Sequence, residues 1–122
     1  MILVDTSVWA DHFRHGDPML GDLLGAGQVT MHPFVIGELA LGNLHQREAT
    51  LRLLLELPVS PVVPAEVFLE TSCSAGLVTG IGFVDAHLLL SARAVPGTDL
   101  WTRDKKLAVR ADALGVGWRG AT

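Results

Sequence analysis

Cysteine is nearly missing from this chain: Cys73 stands alone among 122 residues. One thiol cannot close an intramolecular disulfide, and without a Cys-x-x-Cys pair or a Cys/His cluster nothing suggests a structural zinc site. A reducing, cytoplasmic setting is expected. Long hydrophobic runs are missing as well, since every apolar stretch falls far short of the roughly 20 residues that cross a bilayer. Met1 to Val4 leads directly into Asp5 with no basic segment or extended apolar stretch, so no signal peptide is expected. Positive charge is scarce: 9 Lys and Arg against 13 Asp and Glu give a net charge of −4. That balance excludes nucleic-acid binding through a broadly basic surface and leaves local cations or bound metal for any such chemistry. Repeats, linkers and low-complexity tracts are absent too, and a single domain spanning 1–122 is expected.

Apolar residues, by contrast, are abundant. They make up 49% of the chain, with a mean hydropathy of +0.40. A small domain has limited interior, so part of this apolar surface is expected to be covered by a second copy or another partner. Short apolar runs alternate with longer helical patterns, as in βαβ units around a parallel sheet. Strands are expected at Met1–Val4, Val29–Met31, Val59–Val63, Asp99–Thr102 and Val116–Trp118, with Pro61 keeping the third at an edge. Helices are expected from a Thr6 or Ser7 cap to Arg14, around Leu20 to Leu24, and over Phe34–Leu44 behind Pro33. Others should cover Glu48–Leu57, Ala65–Leu77, Val84–Ala94 and Lys105–Leu114. The fold class is α/β, in three α/β/α layers with a central, mostly parallel sheet of about five strands.

In an open parallel sheet, ligands bind beyond the carboxyl ends of the strands. Asp5 follows the first strand at once and Asp104 stands just past the strand ending at Thr102, so two acids distant in sequence should share one edge. Asp85 falls in the first turn of its helix, where the helix dipole favours an ionised carboxylate. Glu38 sits among Phe34, Val35, Ile36, Leu39, Ala40 and Leu41, which predicts a largely buried helix whose one acid needs a partner. A cation would remove that burial cost. Each acid also has an ordinary reading: Asp5 as a helix cap, Asp104 in a solvated patch with Arg103 and Lys105, Asp85 as a first-turn residue, Glu38 paired with an arginine. Their joint placement points to a site, and hard oxygen ligands of this kind select Mg²⁺ or Mn²⁺.

Four segments, ILVDTSVWADHFR, HPFVIGELALGNL, GIGFVDAHLLLSA and DLWTRDKKLAVRADALGV, are spread over nearly the whole chain. In order and in the placing of their acids they resemble the PIN-domain ribonucleases, and among these the VapC-type toxins of type II toxin–antitoxin pairs. The resemblance implies a PIN-like domain with parallel strands between helices and a Mg²⁺ or Mn²⁺ site made by Asp5, Glu38, Asp85 and Asp104. It also implies hydrolysis of RNA phosphodiester bonds, a homodimer, and inhibition by a cognate VapB-like antitoxin. Asp99 ranks below Asp104 as the fourth acid because it should begin its strand.

Smaller signals surround the acids. Thr6 and Ser7 support Asp5 or touch a phosphate through their hydroxyls, or else serve as caps. Arg103, Lys105, Lys106 and Arg110 form a basic rim for the RNA backbone, or else a solvated helix face. His87 lies two positions from Asp85, hence on a different helix face, and reads as structural. A partner's amphipathic segment is expected in an apolar groove around Trp9, Phe13, Leu20 and Leu24, with a partner arginine reaching the acids. Two other classes compete. A receiver-like or phosphatase-type phosphoryl-transfer domain would want an acidic pair after the first strand, where Asp5 is followed by Thr6-Ser7-Val8. A catalytically silent PIN binding module would have no need of all four acids.

Overall fold

The apolar segment Ile2–Val4 forms strand β1 and is buried at all three positions. Successive side chains of a strand point to opposite faces, so both faces of the sheet are covered at β1. The computed structural model describes residues 1–77 and 79–120. After β1 come α1 (Thr6–His15), α2 (Pro18–Gly25), β2 (Val29–Thr30), α3 (Pro33–Ala40) and α4 (Arg47–Leu55). Then follow α5 (Ala65–Ser74), α6 (Phe83–Ala94), β3 (Asp99–Trp101) and α7 (Lys105–Ala113). β2 and β3 pair with β1 in parallel, placing Ile2 opposite both Val29 and Asp99 in the order β2-β1-β3.

The α/β class and the parallel pairing are as expected, but among the described residues the sheet has 3 strands and not about five. The segments expected as the third and fifth strands each contribute one parallel bridge, Val59 to Met31 and Gly117 to Leu100. Two hydrogen bonds hold each: Met31 N to Pro58 O (2.7 Å) and Ser60 N to Met31 O (2.8 Å), then Leu100 N to Val116 O (2.7 Å) and Trp118 N to Leu100 O (3.0 Å). Prolines at 58, 61 and 64 lack the amides that a longer ladder needs. At the other edge, glycines at 115 and 117 bracket Val116, and Gly115 has φ 74, outside the strand region.

Helix ends are set by side chains. Asp5 caps α1 and Asp17 caps α2 directly before Pro18, so neither Thr6 nor Ser7 is the α1 cap. His32 caps α3, its Nδ1 accepting from Phe34 N at 3.0 Å. With Nδ1 accepting, the proton resides on Nε2, which donates to Ser91 Oγ (3.0 Å), and that hydroxyl donates to Pro61 O (2.6 Å). Burial, with the nearby His87, pushes the His32 pKa down to about 4, so the ring is neutral and ties α3, α6 and the residue-61 segment together. α3 stops at Ala40, short of the expected Leu44. α6 is the central helix, buried continuously from Ala86 to Ala92. His87 lies within it, stacked on Phe68 at 4.1 Å and edge-on to Phe34 and Phe83, in the structural place its spacing suggested. Among the described residues no helix is long and apolar enough to cross a membrane.

Candidate active site

β1 and β3 end side by side, and Asp5 N continues their ladder by donating to Trp101 O at 2.9 Å. The residues immediately beyond are therefore fixed relative to one another. Asp5 is 7% exposed, and a carboxylate in that position needs donors. It has three: Thr6 N to Oδ1 (2.7 Å), and both Ser7 Oγ (2.9 Å) and Thr102 Oγ1 (2.7 Å) to Oδ2. The two hydroxyls also accept, Thr102 Oγ1 from Asp104 N (3.0 Å) and Ser7 Oγ from Arg103 N (3.1 Å). Asp5 is thus stitched to the turn that carries Asp104. Thr102 was not singled out in the sequence; the signal available was a hydroxyl at a strand end, two residues before an acid.

Asp104 caps α7, its Oδ1 accepting from Lys106 N (2.9 Å) and Leu107 N (3.2 Å). Glu38 reaches the edge through Thr6, whose Oγ1 donates to Glu38 Oε1 at 2.7 Å. The expected burial of α3 around Glu38 is not observed. Val35 and Leu39 are its buried residues, Glu38 is exposed, and Leu41 just beyond is 91% exposed. Desolvation therefore does not explain Glu38; a hydroxyl shared with Asp5's own turn does.

Asp85 occupies the first turn of α6 and is half-buried. Burial, reinforced by the charges of Asp5, Asp104 and Glu38, pushes its carboxyl up to about 6. The helix dipole, expected to favour its ionised form, is outweighed. The other three acids thus all bear on Asp85, and among the described residues none of the four has an ion pair with a side-chain cation. They do not form a closed ligand set either: no three His, Cys, Asp or Glu side chains among the described residues come together as a group that could hold a metal. Asp5 and Asp104 each give oxygens to capping, and Glu38 gives one to Thr6. The donor chemistry, four hard oxygen ligands lacking a counter-charge, nonetheless fits Mg²⁺ or Mn²⁺.

The basic rim divides. Arg103 Nε pairs with Asp11 at 2.7 Å, its Nη2 pairs with Asp17, and its guanidinium lies over the Trp101 ring at 5.7 Å. It clamps α1 and α2 to the end of β3 while its side chain stays exposed. Burial pushes Asp17 up, but the Leu20 amide and Arg103 more than offset this, and its carboxyl ends below the usual range. Arg110 donates to Thr79 O (2.8 Å) and Gly76 O (3.4 Å), holding the glycine-rich turn that leads into α6 and Asp85. Lys105 and Lys106 are exposed and unpaired among the described residues. Lys106 shares a cleft of about 200 Å³ with Gly80, Gly82, Asp85 and Asp104.

A larger cleft, about 540 Å³, lies between α1 and the α3–α4 loop, and Thr6, Glu38 and Phe13 are in its wall. The groove expected around Trp9, Phe13, Leu20 and Leu24 is not formed as such. Trp9 and Leu20 are core residues and Leu24 is half-buried, so only Phe13 of the four lines the cleft.

No family model matches the chain. Two curated proteins do, both called Ribonuclease VapC32, from Mycobacterium tuberculosis strains CDC 1551 / Oshkosh and H37Rv. Each is 47% identical over 117 residues, which is 95% of this chain and 94% of the relative. Identity at that level across almost the full length of both partners, together with the acidic edge at the ends of parallel strands, shows that the chain belongs to the VapC-type PIN-domain ribonuclease toxins.

Proposed function

We propose that this protein is a Mg²⁺- or Mn²⁺-dependent endoribonuclease, the toxin of a toxin–antitoxin pair, and that it hydrolyses RNA phosphodiester bonds. The observation that supports this most directly is the Asp85 carboxyl, raised to about 6 by burial and three neighbouring acids, none of the four having an ion pair among the described residues. Such a cluster is costly alone and is relieved by a divalent ion. Asp5, Glu38, Asp85 and Asp104 are the residues that would hold it. When bound, the ion supplies a water of lowered pKa and neutralises charge on the phosphate.

The chain's own groups prepare that site. Thr6 N, Ser7 Oγ and Thr102 Oγ1 fix Asp5, while Thr6 Oγ1 turns Glu38 toward it. Burial and the neighbouring acids hold the Asp85 carboxyl up to about 6, and a bound cation would favour its ionised form. Lys105 and Lys106 then remain to hold the flanking RNA backbone. No histidine is needed as general base; His87 is buried in an aromatic cluster.

A VapB-like antitoxin and a homodimer complete the reading. Leu41, Leu53, Leu55, Leu69 and Phe83 are all exposed, more large apolar surface than an isolated small domain usually shows. A single PIN domain acting in the cytoplasm is the setting assumed. The relatives give no support to a receiver-like or phosphatase-type activity. The test is cleavage of single-stranded RNA by the purified chain, which should require Mg²⁺ or Mn²⁺ and vanish in Asp85→Asn. Cutting that persists in chelator overturns the metal-dependent mechanism.

A further inference from the structure

We infer that the cleft between α1 and the α3–α4 loop is a subsite for one unstacked base of the RNA, beside the phosphate to be cut; this rests on the ribonuclease reading above. Its volume, about 540 Å³, falls within the range of roughly 300–1,000 Å³ typical of small-ligand sites. Thr6 and Glu38 belong both to its wall and to the acidic edge, so a base seated here has its own phosphate at the acids.

The cleft offers the two things that base recognition needs, a fixed aromatic surface and polar groups at its rim. Phe13 is stacked on Trp9 with centroids 5.7 Å apart and planes at 28°. Trp9 is 2% exposed while Phe13 is 40% exposed, so the ring is backed by the core and open on the cleft side. Splayed RNA bases stack on such rings largely irrespective of sequence. Asn43 and His45 supply the rim from residues 41–46. That loop is held at both ends, by Arg47 Nη1 on Ala40 O and by Thr50 Oγ1 on His45 O at 3.0 Å. The Asn43 and His45 side chains themselves make no hydrogen bond within the described residues and remain open to a ligand. An amide presents a donor and an acceptor side by side, the arrangement that reads a base edge. The cleft opens through Thr6 and Glu38 onto the acidic edge where the phosphodiester is to be cut, so a nucleotide is the occupant that the ribonuclease reading calls for.

The test pairs binding with cleavage. Binding of a labelled single-stranded octaribonucleotide is followed by fluorescence anisotropy on the full Asp85→Asn chain in Mn²⁺, where cutting is suppressed. Phe13→Ala should weaken it roughly 5- to 100-fold. Phe13→Leu keeps apolar packing against Trp9 and should weaken it too, whereas Phe13→Trp should retain it. With Asp85 intact, Asn43→Ala should lose discrimination among four substrates that differ at one base, by roughly tenfold. Unaltered binding in Phe13→Leu with unaltered base preference in Asn43→Ala overturns the subsite and leaves the ribonuclease reading standing. Variants that keep RNA binding but escape a protein inhibitor assign the cleft to that partner, which also overturns the subsite. If the unmodified chain cuts no RNA in either metal, the ribonuclease reading itself fails and the subsite falls with it.

Discussion

Asp5 and Asp85 belong to the same acidic edge, and their surroundings are built in opposite ways. Asp5 ends β1, caps α1 and accepts from an amide and two hydroxyls, so its burial is compensated bond by bond. Asp85 begins α6, a helix whose Gly82 cap position carries no side-chain bond, and its carboxylate accepts no hydrogen bond among the described residues. The buried run Ala86–Ala92 directly after it prevents the helix from rolling the acid into water. One acid is therefore held in place by the fold, and the other is held against its own electrostatic preference. On the proposed reading, a cation would gain most at Asp85, where the fold leaves charge uncompensated, while Asp5, whose charge is satisfied, would set the geometry.

The largest expected effect tests both acids at once. Asp5→Asn and Asp85→Asn should each lower RNA cleavage by more than the roughly 10–100-fold typical of losing an outer-shell partner of a metal site. Their stabilities in chelator should move in opposite directions. Asp5→Asn gives up charge-assisted bonds and should cost about 1–3 kcal/mol. Asp85→Asn removes a carboxylate whose pKa is raised from 3.8 to about 6. At 1.36 kcal/mol per pKa unit, discounted for its partial exposure, this should stabilise the cation-free protein by about 1–2 kcal/mol, or several degrees in Tm. Midpoints that shift the same way in both variants break the comparison.

A smaller effect sharpens it through pH. The folded protein holds the Asp85 proton more tightly than the unfolded chain, because its folded pKa of about 6 lies above 3.8. This group's favourable contribution is thus fully present below pH 3.8, declines as pH rises toward about 6, and is absent above that. Thermal midpoints of the chain and of Asp85→Asn, measured in chelator across this range, should converge at acid pH and separate above it. Added Mg²⁺ competes with that proton, so its stabilising effect should grow over the same interval. On the other acid, Thr102→Val removes both the bond to Asp5 and the bond from Asp104 N and should cost about 1–2 kcal/mol. Thr6→Val, which loses only an exposed bond to Glu38, should cost less.

What the sequence revealed and what it hid follow from the range over which each feature is determined. Asp5 and Asp104 stood out because a short apolar run followed by an acid places that acid near a strand end by local rules, and Asp85 because the apolar spacing after it marks the first turn of a helix. Thr102 did not, since its importance depends on β1 and β3 meeting across 97 residues. Glu38 was singled out on a burial argument that the structure does not bear out. Its apolar neighbours suggested a largely buried helix, yet Glu38 and Leu41 are exposed. The sheet was overcounted because Val59–Val63 and Val116–Trp118 have strand composition, whereas ladder length depends on amides that proline lacks and on glycine turns. Arg103 was grouped with its neighbour Lys105, but its partners Asp11 and Asp17 lie more than 80 residues away.

Arg103 leads to the smallest predicted effect, which separates the clamp from the rim. Lys105→Ala with Lys106→Ala should leave the midpoint unchanged, because neither side chain has an ion pair to lose among the described residues. RNA binding should weaken, and the slope of log affinity against log salt should fall by about 0.7 for each phosphate contact removed from a single strand. Arg103→Ala should do the reverse. Its two carboxylate pairs are partly exposed and worth about 0.2–1 kcal/mol each, so the midpoint drops modestly while the salt slope holds. Asp17 would also lose the cation that helps keep its carboxyl below the usual range, and the deficit should shrink in acid, where the carboxylate is protonated with or without Arg103. A salt slope flattened by Arg103→Ala as much as by the lysine pair would show that the guanidinium leaves Asp11 and Asp17 to reach RNA. The corner it clamps would then have to open whenever substrate binds.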